Sequence, residues 1–340
     1  MKSESLARLF DARNAFQEPV TLWITAGIAV ALTVIPLIIW LLSAAGKVNS
    51  KLRAELLLRY YSWLVIIPVL IVPVLLGAFW TIVGISLLSL FCYREYARAT
   101  GLVREKWVSL LVVLGIILLT LATLDHWYRF FLALPSLTVA AIIAFAILQD
   151  RPQGYIQRVA LAVFGYLLFG VCLGHLGYLA NDTHYRPLIV LVFLAVELND
   201  VFAFCCGKTL GRQKLCPNTS PNKTVAGAVG ALVLTTLLVA VLGGFVFAGT
   251  VLASLPHLLG LGALISIAGQ FGDLTLSSIK RDLGIKDMAA TIPGHGGLLD
   301  RFDSVLLAAP VVFHYVNYFV GVGENQPPFV FTSLLGMGPR

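Results

Sequence analysis

The chain has 340 residues, of which 59% are hydrophobic and only 12% charged, with a formal net charge of +7 and a mean hydropathy of +0.89. Soluble domains carry about 25% charged residues, and disordered chains combine low hydrophobicity with high charge, so both classes are excluded. A spanning helix takes about 20 apolar residues, and the composition therefore predicts an all-α, polytopic integral membrane bundle of about ten transmembrane helices.

In chain order, residues 1–20 form a polar or amphipathic leader. Leu6, Leu9, Phe10 and Phe16 are set among charges in Ser3–Phe16, which reads as an interfacial amphipathic helix or a plain polar tail. The apolar run Thr21–Ala45 exceeds the signal-peptide core of about 7–15 residues and is read as a retained span. Ser62–Tyr93 is too long for one span and short for two; Pro73 and Gly77 near its middle divide it into two close-packed helices. Trp107–Leu124, Phe130–Leu148, Gln157–Ala180, Pro187–Cys206, Thr224–Gly249, His257–Leu276 and Phe302–Val322 follow. These make ten spans in one domain, 21–322, with a tail at 323–340. The five cysteines are odd in number and none has CxxC spacing, so neither a disulfide framework nor a zinc site is expected.

With the N-terminus outside, the five inside loops hold 18 of the 24 Lys and Arg. This bias follows the positive-inside rule and accounts for the basic balance without a nucleic-acid partner. It places loops 207–223 and 277–301 in the cytoplasm and suits a bacterial inner membrane.

Five acids lie inside or at the edges of spans: Glu197, Asp200, Asp273, Asp300 and Asp303. A carboxylate in hydrocarbon is costly and faces a cavity or a partner. No Lys or Arg lies in the spans that carry Glu197, Asp200 and Asp273, so the partner is a loop cation or a metal ion. Asp273, Ser277, Lys280 and Arg281 share one helix face at i, i+4, i+7 and i+8. Glu197 with Asp200, and Asp300 with Asp303, are i, i+3 pairs. Carboxylates beside basic loops suit Mg²⁺ and phosphate groups; buried ion pairs that hold the bundle together are the bland alternative. Loop 207–223 carries Gly207, Gly211 and four cations, which could cradle phosphates or attract anionic lipid. The run Pro293-Gly294-His295-Gly296-Gly297 is a tight turn in which backbone can approach a ligand closely.

Ser277-Ser278-Ile279-Lys280-Arg281, Lys286-Asp287, Ala289, Ile292-Pro293, His295-Gly296-Gly297-Leu298 and Asp300-Arg301-Phe302-Asp303 resemble the signature of phosphatidate cytidylyltransferases and fill its fixed positions. Upstream, Asp200, Ala203, Gly207, Gly211, Ser220-Pro221-Asn222-Lys223-Thr224 and Gly227 are similar as well. The likeness covers 197–304 in motif form. Phe204 stands where the family usually has Tyr, and Ala226 where it usually has an acid.

The resemblance implies the reaction CTP + phosphatidate → CDP-diacylglycerol + pyrophosphate, with Mg²⁺ and room for a second cation. It implies metal ligands at Asp273 and Asp300, with Asp200 as a further candidate. Asp273, Lys280, Arg281, Asp300 and Asp303 are then expected to be catalytic. Ser220, Lys223, Thr224, Ser277, His295, Gly296, Gly297 and Arg301 are expected to bind the phosphates of CTP or lipid. The phosphate nucleophile is largely ionised at neutral pH, its second pKa being about 6, so no Ser/His/Asp arrangement is required. Expected partners are CTP and phosphatidate in the membrane, with a homodimer left open. The competing readings are a CTP-dependent lipid kinase of the polyprenol type, a cytidylyltransferase for another lipid phosphate, a cation transporter, and an inactive scaffold.

Overall fold

The computed structural model describes residues 9–292, 294, 296–324, 326 and 328–334. The chain folds as a polytopic helical bundle. The long helices are α1 (Pro19–Ala44), α2 (Ser50–Leu76), α3 (Ala78–Ala99), α4 (Lys106–Leu124) and α5 (Tyr128–Leu148). They continue with α6 (Tyr155–Asn181), α7 (Tyr185–Leu210), α8 (Val225–Val246), α9 (Leu255–Asp282) and α10 (Leu299–Phe319), and a short α11 (Val330–Leu334) closes the series. Within α6, Tyr166–Cys172 is wound as a π-helix. Among the described residues, nine helices, α1 to α9, are long and apolar enough to cross a membrane. The tenth, α10, has the length but begins with Asp300, Arg301 and Asp303.

The division of the long apolar run falls at Gly77. Its backbone adopts φ 135°, a region that L side chains rarely enter, and an added Cβ would lie 2.5 Å from the Leu9 carbonyl oxygen. Both flanking helices are longer than the apolar run suggested. α2 reaches back to Ser50 and α3 runs on to Ala99, so each has ample length for a crossing.

The connections gather at two ends. At one, called here the distal end, residues 9–18, Gly77, 125–127, 182–186 and 320–332 meet. Arg186 donates to the Asp11 carbonyl, His126 Nε2 bonds the Gly323 oxygen at 2.9 Å, and Asp125 Oδ1 accepts from the amides of Phe331 (2.7 Å) and Thr332 (3.0 Å). Residues 10–18 form turns and irregular backbone up to the start of α1, with Leu9 fully buried; residues 3–8 of the expected interfacial helix or polar tail lie outside the described set. Where described, the tail after 322 is tied back to the bundle through Asp125.

At the opposite, site end lie loops 100–105, 211–224 and 283–298. The core between the two ends is formed chiefly by α7, α10 and the second half of α6, whereas α1 and α2 are peripheral. Polar side chains lock the inner helices together. Asn199, fully buried, accepts from Thr235 (3.0 Å) and Ser266 (2.6 Å), joining α7, α8 and α9.

Candidate active site

Sequence dictates the first wall of the site through a hairpin and three glycines. β1 (Lys214–Cys216) pairs antiparallel with β2 (Ser220–Thr224). Thr224 ends the hairpin and caps α8, its Oγ1 accepting from Gly227 N at 3.1 Å, a type of cap worth about 1 kcal/mol. A Cβ on Gly207 would lie 2.9 Å from Thr224 Oγ1, one on Gly211 would be 2.5 Å from the same atom, and one on Gly227 would be 2.6 Å from the Ala203 carbonyl. These glycines let α7 and α8 close around Thr224. Gly211 N–H is bonded to the Gly207 carbonyl, and both glycines serve the packing around Thr224.

The hairpin delivers Lys223 to Asp273 of α9, Nζ to Oδ2 2.5 Å. The partner of this membrane-level acid is thus a distant loop cation. Ser277, one turn on, donates to Asp273 Oδ1 at 3.1 Å, as the i, i+4 spacing requires. Arg281 Nε reaches the Thr219 carbonyl at 3.3 Å and ties the hairpin turn to the end of α9.

The second wall is α10 with the loop before it. Gly272 makes the approach possible: a Cβ there would collide with the carbonyl oxygen of Asp303. With no side chain at that point, Asp273 comes close enough to Asp303 and Asp200 for the three carboxylates to repel one another. Ser304 Oγ donates to Asp200 Oδ2 at 2.9 Å, and the Arg301 guanidinium is near enough to offset the charges of Glu197 and Asp200.

Asp300, 5% exposed, lies across this cluster. Its Oδ1 takes Lys280 Nζ at 2.7 Å, and its Oδ2 accepts the amides of Met288 (2.9 Å) and Gly297 (2.9 Å). The carboxylate therefore both neutralises Lys280 and folds the loop. Gly296, at φ 82°, sits where a Cβ would be 3.0 Å from Asp300 Oδ2. His295 lies outside the described residues.

One residue escaped the sequence reading. Glu95, 7% exposed, accepts from Thr291 Oγ1 (2.5 Å), Leu298 N (3.0 Å) and Leu299 N (2.8 Å). It satisfies free amides at the start of α10 and anchors the 289–298 loop. Gly297 leaves room for it, since a Cβ there would stand 2.5 Å from Glu95 Oε2. The apolar run ends at Tyr93, which assigned Glu95 to a connector; helical continuation of α3 through Ala99 was the signal that would have found it.

Two cavities flank that loop. A polar one of about 460 Å³ is lined by Arg59, Lys286, Asp287, Gly296 and Arg301. An apolar one of about 560 Å³ lies between α2 and α3, with Thr291, Ile292, Leu298 and Phe302 at its inner wall.

Hard carboxylate oxygens under mutual repulsion fit a divalent cation, and Asp200, Asp273 and Asp303 supply them. Among the described residues, no ready-made group of three His, Cys, Asp or Glu ligands is formed. Mg²⁺ fits such a site all the same, because it is usually held by one or two carboxylates and completed by substrate phosphates. Ser220, Lys223, Thr224, Ser277, Lys280, Arg281 and Arg301 all belong to the two walls that surround this acidic cluster. Phe204 is two-thirds exposed, with Lys208 Nζ 5.8 Å from its ring centre, and Ala226 occupies the first turn of α8.

Residues 57–319 match the profile of the cytidylyltransferase family. The chain is 31% identical to the uncharacterized protein YnbB of Escherichia coli (strain K12), over 80% of this chain and 91% of that protein. It is 30% identical to the phosphatidate cytidylyltransferase of Bacillus subtilis (strain 168), over 63% of this chain and 81% of that one. The identity to the phosphatidate cytidylyltransferase of Rickettsia bellii (strain RML369-C) is 31%, over 52% and 77%.

Proposed function

The chain belongs to the cytidylyltransferase family, and from that premise we propose that it transfers the cytidylyl group of CTP to phosphatidate, releasing pyrophosphate and forming CDP-diacylglycerol. The observation that carries the reading is the convergence of two basic loops on one acidic cluster through the Lys223–Asp273 and Lys280–Asp300 pairs.

A phosphate oxygen of phosphatidate attacks the α-phosphorus of CTP, and the bond to the β-phosphate bridging oxygen breaks. The attacking phosphomonoester is already largely ionised at neutral pH, so its oxygen needs no base. The site must neutralise charge on the α-phosphate and on departing pyrophosphate. Lys223 and Lys280 are both half-buried and pre-aimed by their carboxylates; phosphate oxygens compete for the same ammonium groups when substrates bind. Arg281 and Arg301 add fixed positive charge at the two walls, and Ser277 and Thr224 supply hydroxyls. Mg²⁺ would be held by Asp273 with Asp200 and Asp303 beside it, Asp300 joining only by releasing Lys280 from its Oδ1, and would supply Lewis-acid polarisation of the phosphoryl oxygens. The protein lies in the bacterial inner membrane with the site end in the cytoplasm, where CTP and inner-leaflet lipid both reach it.

Purified protein in nanodiscs, incubated with CTP, Mg²⁺ and phosphatidate, is expected to form CDP-diacylglycerol and pyrophosphate in equal amounts, read by lipid mass spectrometry and a pyrophosphate assay. Conversion of a polyprenol to its phosphate with release of CDP, and no CDP-lipid, would overturn the assignment.

A further inference from the structure

Loop 289–298 is a partition. Its polar side borders the cavity with Arg59, Lys286 and Arg301, and its apolar side closes the cavity between α2 and α3. Ile292 contributes to both. The divide continues in α2, where Leu58 lines the apolar cavity and its neighbour Arg59 the polar one. Leu58 is also where the loop rests, since a Cβ on Gly294 would stand 3.0 Å from its Cδ2.

Among the described residues, none that lines the apolar cavity is charged. α2 and α3 touch where Gly84 meets Pro73, a Cβ there lying 3.3 Å from the proline ring. Val65, Val69, Leu87 and Phe91 line the cavity yet remain exposed on the bundle surface, so it opens sideways to lipid. From Leu58 to Val74 the lining runs about 24 Å at 1.5 Å per residue. That exceeds the roughly 15 Å depth of one leaflet, half of a 30 Å core. A volume of about 560 Å³ falls within the range of small-ligand sites, roughly 300–1,000 Å³.

We infer that this cavity seats an acyl chain of the lipid phosphate whose headgroup reacts on the other side of the loop. The inference rests on the lipid-phosphate reading of the site. Its ground is continuity: the inner wall of the cavity is the loop that Asp300 and Glu95 pin, and Phe302 stands between Arg301 and Asp303 in α10. A chain lying there leaves its phosphate at the loop's edge beside the basic walls. Bulk bilayer lipid has no such reason to prefer the cavity over the rest of the α2–α3 surface.

The test is photolabelling with phosphatidate that carries a diazirine in one acyl chain, in nanodiscs of phosphatidylcholine. Adducts are expected on residues 58–91 and should disappear when excess unmodified dioleoyl phosphatidate is added. Adducts spread over the outer helices, or adducts at 58–91 that phosphatidate does not displace, would overturn the inference. Val69→Trp narrows the cavity from an exposed position. It should raise the KM for dioleoyl phosphatidate about five- to tenfold, the size of effect expected when a packed apolar contact is overfilled, with the KM for CTP unchanged. An unchanged lipid KM would also overturn it. Displaceable adducts in a protein that makes no CDP-lipid would leave the cavity's role standing and refute the reaction instead.

Discussion

Lys223 and Asp273 come from different segments, and neither has an equivalent partner nearby in sequence. Their 2.5 Å pair differs in kind from the Lys280–Asp300 pair. Among the described residues, Asp273 bonds only side chains, whereas Asp300 also holds the amides of Met288 and Gly297. Asp273→Asn should therefore lower turnover at least about a hundredfold, the scale seen when a charge-stabilising group is lost, while leaving thermal stability near that of the parent. Asp300→Asn should lose both activity and stability. It strands Lys280, half-buried in its pair with the buried Asp300; breaking a fully buried pair costs about 3–5 kcal/mol, and the loss here lies at or below the lower end of that range. Melting curves in detergent beside product assays check this contrast, and equal melting temperatures for the two variants would contradict it. Ala226 permits a second prediction. An acid in the first turn of α8 meets the positive end of the helix, worth about 0.3–1 kcal/mol when exposed. Ala226→Glu should lower the KM for CTP several-fold, about 1.4 kcal/mol being tenfold, and change kcat less. Activity that appears only in the Glu variant would mean that the natural chain has lost its reaction.

At the scale of elements, the site depends on how α3, α9 and α10 meet. Gly272 lets α9 approach the backbone of Asp303, and Glu95 fixes where α10 begins. Glu95 accepts three hydrogen bonds, and glutamine can only accept on one of its two heads. Glu95→Gln should leave a buried amide unsatisfied, at about 1–3 kcal/mol, and loosen loop 289–298. The expected result is a drop in kcat/KM of about tenfold or more with an unchanged far-ultraviolet spectrum and faster proteolysis within 283–298. Unchanged proteolysis and kinetics would show that Glu95 plays no positioning role. The spans were readable because charge-free runs of this length have few alternatives, and Pro73 and Gly77 marked the break within the longest run. Glu95 was hidden because hydropathy stops at Tyr93 although the helix does not. Asn199, Thr235 and Ser266 were hidden for the opposite reason: single polar residues in apolar runs carry no label for their partners. Gly207 and Gly211 stood out in the sequence only as loop glycines, and their packing around Thr224 joins segments that no local pattern connects.

For the whole molecule, the alternation of ends matches the charge bias of the loops. The segments predicted to lie inside gather at the site end, and 18 of the 24 Lys and Arg fall in them. Positive residues favour the cytoplasmic side, so cysteines introduced at 218 and 284 should react with membrane-impermeant maleimide only in inverted vesicles. One introduced at 183 should react only in right-side-out cells. Labelling of 218 or 284 from outside would place the site away from CTP. The termini were less readable than the spans. Leu9 under Gly77 and Asp125 beneath α11 are contacts between segments far apart in sequence, and no local pattern announces them.

The most direct measurement follows the phosphorus. CTP labelled with ³²P at the α-position should transfer its label to lipid in the parent protein and not in Asp273→Asn, while label at the γ-position leaves as pyrophosphate. Label from the γ-position in the lipid, with none from the α-position, would contradict cytidylyl transfer and make the protein a kinase.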